Sequence, residues 1–116
     1  MMRDEDRIAH LRRAIADAKE SISGIDRERF LANKDKMAAA ERYILIVGEA
    51  SHMVSAAFKA AHPEIPWQDM RDMRNIIAHE YMNVDYNEVW NAVTRDFDEL
   101  KLLIDRLDVD SEVQPR

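Results

Sequence analysis

Apolar residues return every three or four positions along most of this chain, the spacing that lines one face of an α-helix. Ile8, Leu11, Ile15, Ala18 and Ile22 form the first stripe. They predict a helix that begins near Asp4 to Asp6 and runs to about Ser23, where Gly24 supplies a stop. Asp26 is placed to cap a short helix through Phe30 and Leu31. Asn33 would cap the longest helix, which extends to about Ala60 or Ala61 on the stripe Met37, Ala40, Ile44, Val47, Ser51, Val54 and Phe58. Ile44-Leu45-Ile46-Val47 is apolar on every side, so this helix is expected to be covered from more than one direction. Gly48 inside it costs about 1 kcal/mol relative to alanine. Close approach of a second helix would be the motive.

Pro63 and Pro66 then break the chain, and Pro66 suits the first turn of a third helix. That helix runs from about Trp67 to His79 or Tyr81 and turns Met70, Met73 and Ile77 to the core. Asp85 and Glu88 form a capping-box-like start for the last helix. Its stripe is Tyr86, Trp90, Val93, Phe97, Leu100, Ile104 and Leu107. Residues 1–107 make one domain on this reading, followed by a polar tail over 108–116 that frays. The expected fold is all-α, an antiparallel bundle of four main helices plus a short one.

Composition supports that picture and removes several chemistries. Two glycines and three prolines are too few for a strand-and-turn architecture. A hydrophobic fraction of 47% excludes wholesale disorder. The absence of cysteine removes disulfides, thiolate metal sites and a Cys nucleophile, and suits the cytoplasm. Met1 to Arg13 is charged with no continuous apolar run, so no signal peptide is expected. No apolar run approaches the ~20 residues of a membrane span. A formal charge of −6 argues against non-specific coating of nucleic acid but leaves room for a local basic cleft.

Chemistry concentrates in Arg74-Asn75-Ile76-Ile77-Ala78-His79-Glu80-Tyr81. A guanidinium grips phosphate with a planar fork of donors. An imidazole moves protons near neutral pH. At roughly 100° per residue, Arg74 and Tyr81 share a helix face and Arg71 lies near it, whereas His79 stands about 140° from Arg74. Either the last turn distorts, or Arg and His meet across a subunit boundary. Taken alone, Arg74 would pair with Glu80 or Asp72, and His79 would be a C-terminal residue favoured by the helix dipole. Glu49 and His52, one turn apart, are too few for a metal site. His10, His52 and His62 are assigned to surface or packing roles.

The wider context changes the balance. Ala40-Glu41-Arg42-Tyr43-Ile44-Leu45-Ile46-Val47-Gly48-Glu49-Ala50, His62-Pro63-Glu64-Ile65-Pro66-Trp67, Met73-Arg74-Asn75 and His79-Glu80-Tyr81 together resemble the HepT-like proteins of the HEPN superfamily. The resemblance covers about Asp6 to Leu107. It departs at Asp72, where the family commonly has glycine, at Met82, often Phe, and at Phe97-Asp98, often Leu-Pro. Asp72 adds a negative charge near the motif.

The resemblance implies a dimeric, metal-independent endoribonuclease without a cofactor, the toxin of a type VII-like toxin–antitoxin pair. Arg74 and His79 would be the catalytic pair, with Asn75 and Arg71 in support. Attack by a ribose 2′-OH would make RNA the substrate. The implied partner is a minimal nucleotidyltransferase antitoxin that transfers AMP to Tyr81. The alternative is a catalytically silent helical partner of that nucleotidyltransferase.

Overall fold

The computed structural model describes residues 3–80 and 82–113, with side chains as far as 107. Among the described residues every regular element is helical, as the periodicity requires. In chain order they are α1 (Asp4–Ser21), α2 (Arg27–Leu31), α3 (Lys34–Met53), α4 (Ala56–Ala61), α5 (Trp67–His79), α6 (Tyr86–Asn91) and α7 (Phe97–Val113). A π-helical turn, Ala92–Asp96, joins α6 to α7 without a break. The four main rods are α1, α3, α5 and the α6–α7 arm.

The apolar stripes close into one core. Leu11, Ile15 and Ala18 from α1, Ile44 and Val47 from α3, and Val93, Phe97, Leu100 and Ile104 from the last arm are all buried. Phe30 of α2 is fully buried and stacks on Trp90, with ring centres 5.1 Å apart. Asp26 and Asn33 cap α2 and α3 as expected, accepting the backbone N–H of Arg29 and Lys36. Gly24 ends the first turn region in the left-handed conformation, φ 78°, which glycine adopts without steric cost.

Two boundaries and the role of one proline differ from the sequence expectation. The long helix does not reach Ala61. It stops at Met53, Val54 turns extended with ψ 142°, and α4 begins two residues later. The cause is Ser55, whose hydroxyl accepts the Phe58 N–H at 3.1 Å and donates to Asp4 at 2.7 Å. Asp4 also accepts the Ser55 N–H at 2.8 Å. These two bonds hold the Asp4 carboxyl below its ordinary range and tie the start of α1 to the start of α4. A stripe that continues smoothly through Val54 and Phe58 hides a serine able to cap.

Pro66 stands just before α5 as its N-cap and not within its first turn. The last helix carries the π turn, where the Thr94 hydroxyl donates to the Trp90 carbonyl at 2.6 Å and competes with regular helical bonding. It also continues to Val113, past the tail boundary expected at 108. No helix among the described residues is long and apolar enough to cross a membrane.

Candidate functional site

The site is built where α3 and α5 touch. Gly48 makes the touch possible. A Cβ at this position would lie 2.3 Å from the Arg74 Cβ and 3.0 Å from the Met70 carbonyl. The close approach expected of this glycine is therefore real, and the residue it admits is Arg74. Ser51, one turn on and buried, donates to the Val47 carbonyl at 2.6 Å and lies 3.1 Å from the Met70 sulfur. Met70 and Ile77 anchor the inner face of α5, while Arg71, Ala78 and His79 are exposed.

A polar pocket of about 210 Å³ opens over this contact, lined by Gly48, Glu49, His52, Arg71, Arg74 and Asn75. Arg74 is held from two sides. Its Nη1 donates to Asn75 Oδ1 at 3.0 Å, and its Nη2 lies 3.5 Å from Glu49 Oε2. The Arg74 side chain is 38% and the Glu49 side chain 56% exposed, so water screens the pair. The partner of Arg74 is thus Glu49 across the helix contact, not Glu80 or Asp72 on its own helix. Asp72 accepts from Gln68 at 2.8 Å and stays outside the pocket. Among the described residues no carboxylate lies within ion-pair distance of Arg71.

His79 is the last residue of α5 and does not line this pocket. The regular helix keeps it on a different side from Arg74, as the spacing foretold. One chain alone therefore brings together Arg71, Arg74 and Asn75 but leaves His79 apart. Tyr81, the expected AMP acceptor, lies outside the described residues. Glu49 and His52 join the site; His52 is exposed, as its surface assignment expected, and also lines the pocket. Their signal in the sequence was position: one turn apart, directly after the glycine that marks the helix contact.

The remaining histidines do other work. His10 is exposed on α1. His62 stacks on Phe58 at 4.5 Å, and its carbonyl accepts the Trp67 indole N–H at 3.0 Å. The His62-to-Trp67 segment is thus a packed corner, with Ile65 buried beneath it, that sets the entry of α5. Among the described residues no group of three or more His, Cys, Asp or Glu is placed to hold a metal ion.

A second cavity, about 370 Å³, lies between α5 and α7. Ile44, Val47, Met70, Met73, Phe97 and Leu100 give it an apolar floor, and Asp69, Asp96 and Glu99 line its lip. Burial pushes the Asp96 carboxyl above its ordinary value, against the pull of Arg95.

Comparison with known proteins agrees with this architecture. The family described as Ribonuclease HepT-like matches residues 11–107. A protein of Thermococcus cleftensis named as a probable ribonuclease HepT is 39% identical over 97 residues, covering 80% of this chain and 88% of that protein. A Methanocaldococcus jannaschii protein named provisionally as an RNase is 35% identical, covering 73% of this chain and 78% of its own length. Another from Caldanaerobacter subterraneus subsp. tengcongensis, similarly named, is 30% identical, covering 71% and 73%. No solved structure matches the chain significantly.

Proposed function

Because the chain belongs to the HepT-like ribonuclease family, we propose that it is a metal-independent endoribonuclease whose phosphate-binding group is Arg74 and whose proton-transfer group is His79. The observation that carries this reading is the polar pocket built by Gly48, in which Arg71 and Arg74 converge beside Asn75. A phosphodiester seated there meets a planar donor fork. The ribose 2′-oxygen loses its proton to an imidazole and attacks the adjacent phosphorus. The P–O5′ bond breaks, the 5′-oxygen takes up a proton, and a 2′,3′-cyclic phosphate remains. Arg74 stabilises the charge that develops on the phosphoryl oxygens.

His79 lies outside the Arg74 pocket of its own chain, so the reaction calls for a homodimer in which the motifs of two chains face one cleft. The apolar groove between α5 and α7, and Ile76, 53% exposed beside the motif, supply surface for such pairing. The test is RNA incubated with the purified chain in excess EDTA. Cleavage leaving 2′,3′-cyclic phosphate and 5′-hydroxyl ends is expected. Cleavage that EDTA abolishes, or 3′-hydroxyl ends, would refute the mechanism.

The finer reading is a cytoplasmic toxin held in check by a minimal nucleotidyltransferase that adds AMP to Tyr81. A phenol with its ordinary pKa of ~10 is a poor base at neutral pH, so Tyr81 serves as acceptor and not as catalyst. The adduct would place bulk and negative charge beside the motif and compete with RNA phosphate. Tyr81→Phe is expected to keep most ribonuclease activity yet escape neutralisation. Mass spectrometry after incubation with the partner, ATP and Mg²⁺ checks this, with an added AMP on wild type and none on the variant. An adduct at another residue would remove the switch. A chain that takes AMP but never cuts RNA would instead be the catalytically silent partner.

A further inference from the structure

The resting pocket already holds an anion of its own. Glu49 Oε2 stands 3.5 Å from Arg74 Nη2, the terminal nitrogen that does not bond Asn75. Both terminal nitrogens of Arg74 are therefore engaged before any ligand arrives. The two contacts differ in kind. The Asn75 bond is 3.0 Å long and joins neighbours on one helix. The Glu49 contact is longer, crosses between helices, and belongs to a side chain more than half exposed. It is the contact a phosphate would displace. Arg71, one turn before Arg74, lines the same pocket with no carboxylate paired to it among the described residues.

We propose that Glu49 is an internal competitor at the phosphodiester site: a tethered carboxylate that occupies Arg74 and lowers the affinity of every phosphate ligand by a similar factor, so that only a ligand with further contacts keeps useful affinity. This rests on the reading of Arg74 as the phosphate-binding group. A carboxylate fixed on a neighbouring helix acts at an effective concentration of order millimolar or higher. A lone phosphate, with one point of contact, must overcome that competitor and the like-charge repulsion beside it. An RNA strand meets the same cost, but adds contacts at Arg71 and along the strand that a single phosphate lacks. Free phosphates then fall below useful affinity while polynucleotide stays above it. Gly48 is what places the device, because only the close helix contact brings residue 49 level with the guanidinium.

The test titrates the full chain with inorganic phosphate, and separately with a 2′-O-methyl RNA oligonucleotide that cannot be cleaved. Glu49→Gln keeps the size of the side chain and removes its charge. It is expected to bind inorganic phosphate about three- to tenfold more tightly than wild type, with a comparable factor for the oligonucleotide. Asp72→Asn, which removes one charge from the same region outside the pocket, is the control and is expected to change either affinity less than about twofold. Weaker phosphate binding by Glu49→Gln would overturn the proposal and make Glu49 a residue that positions Arg74. Equal affinity in wild type and variant, undetectable binding to both, or an equal gain in Asp72→Asn would overturn it as well. These titrations need no turnover. A chain that binds phosphate as stated but cuts no RNA would therefore sink the ribonuclease reading and leave this one standing.

Discussion

Replacing His79 with alanine is expected to lower RNA cleavage in EDTA by about 10²–10⁴-fold, the range a positioned proton-transfer group contributes. Arg74→Ala is expected to cost a similar amount, about 10²–10³-fold, by removing the charge aimed at the phosphoryl oxygens. Neither change should disturb the fold. His79 is exposed at the helix end, and the Arg74 Cβ that packs on Gly48 survives in alanine. Circular dichroism and the melting temperature are expected to stay near wild type. The geometry of α5 makes a sharper test available. If one chain's Arg74 serves its partner's His79, a mixed dimer of the two inactive variants contains one intact site. Equal mixing would then restore roughly a quarter of wild-type activity, since half the dimers are mixed and each has one working site of two. No recovery after subunit exchange would place both groups within one chain. His79→Ala cutting as well as wild type would remove the mechanism.

Gly48→Ala is expected to destabilise the bundle by about 1–2 kcal/mol. Overpacking typically costs about 1–3 kcal/mol, and the better helix propensity of alanine returns roughly 0.5–1. The new methyl would meet the Arg74 Cβ at 2.3 Å and the Met70 carbonyl at 3.0 Å, both fixed to the backbone of α5. No rotamer change relieves either contact, so α3 and α5 must move apart. The melting temperature should fall by about 5–15 °C. Cleavage should fall with it at temperatures where the variant is still folded, because Arg74 moves with its helix. An unchanged or raised melting temperature would show that the contact relaxes freely.

Much of this was legible in the residues. The stripes placed α1, α2 and α5 within about two residues, Asp26 and Asn33 announced their caps, and Gly48 announced a helix contact. What escaped were features that depend on competition between side chain and backbone. Ser55 ends the long helix by capping the next one, with Asp4 holding it from a distant part of the chain. Thr94 sits in the π turn without disturbing the apolar rhythm around it. At the site, the motif named Arg74 and its helix neighbours, but only the crossing of α3 and α5 shows that Glu49 and His52 face them. Periodicity reports which side of a helix is buried. It does not report which residue of another helix lies opposite.

The bundle is buttressed unevenly. α5 packs mainly on α3, while its other flank borders the open groove toward α7. Local stability follows contact density, so α5 opens in excursions smaller than global unfolding, and its amide protons exchange ahead of those of α1 and α3. The residues proposed for catalysis therefore ride on a helix braced mainly from one side. Whatever covers that helix, a second copy of the chain or an RNA strand, also stiffens it. On the proposed reading, assembly and substrate would then supply part of the order that the isolated fold leaves out.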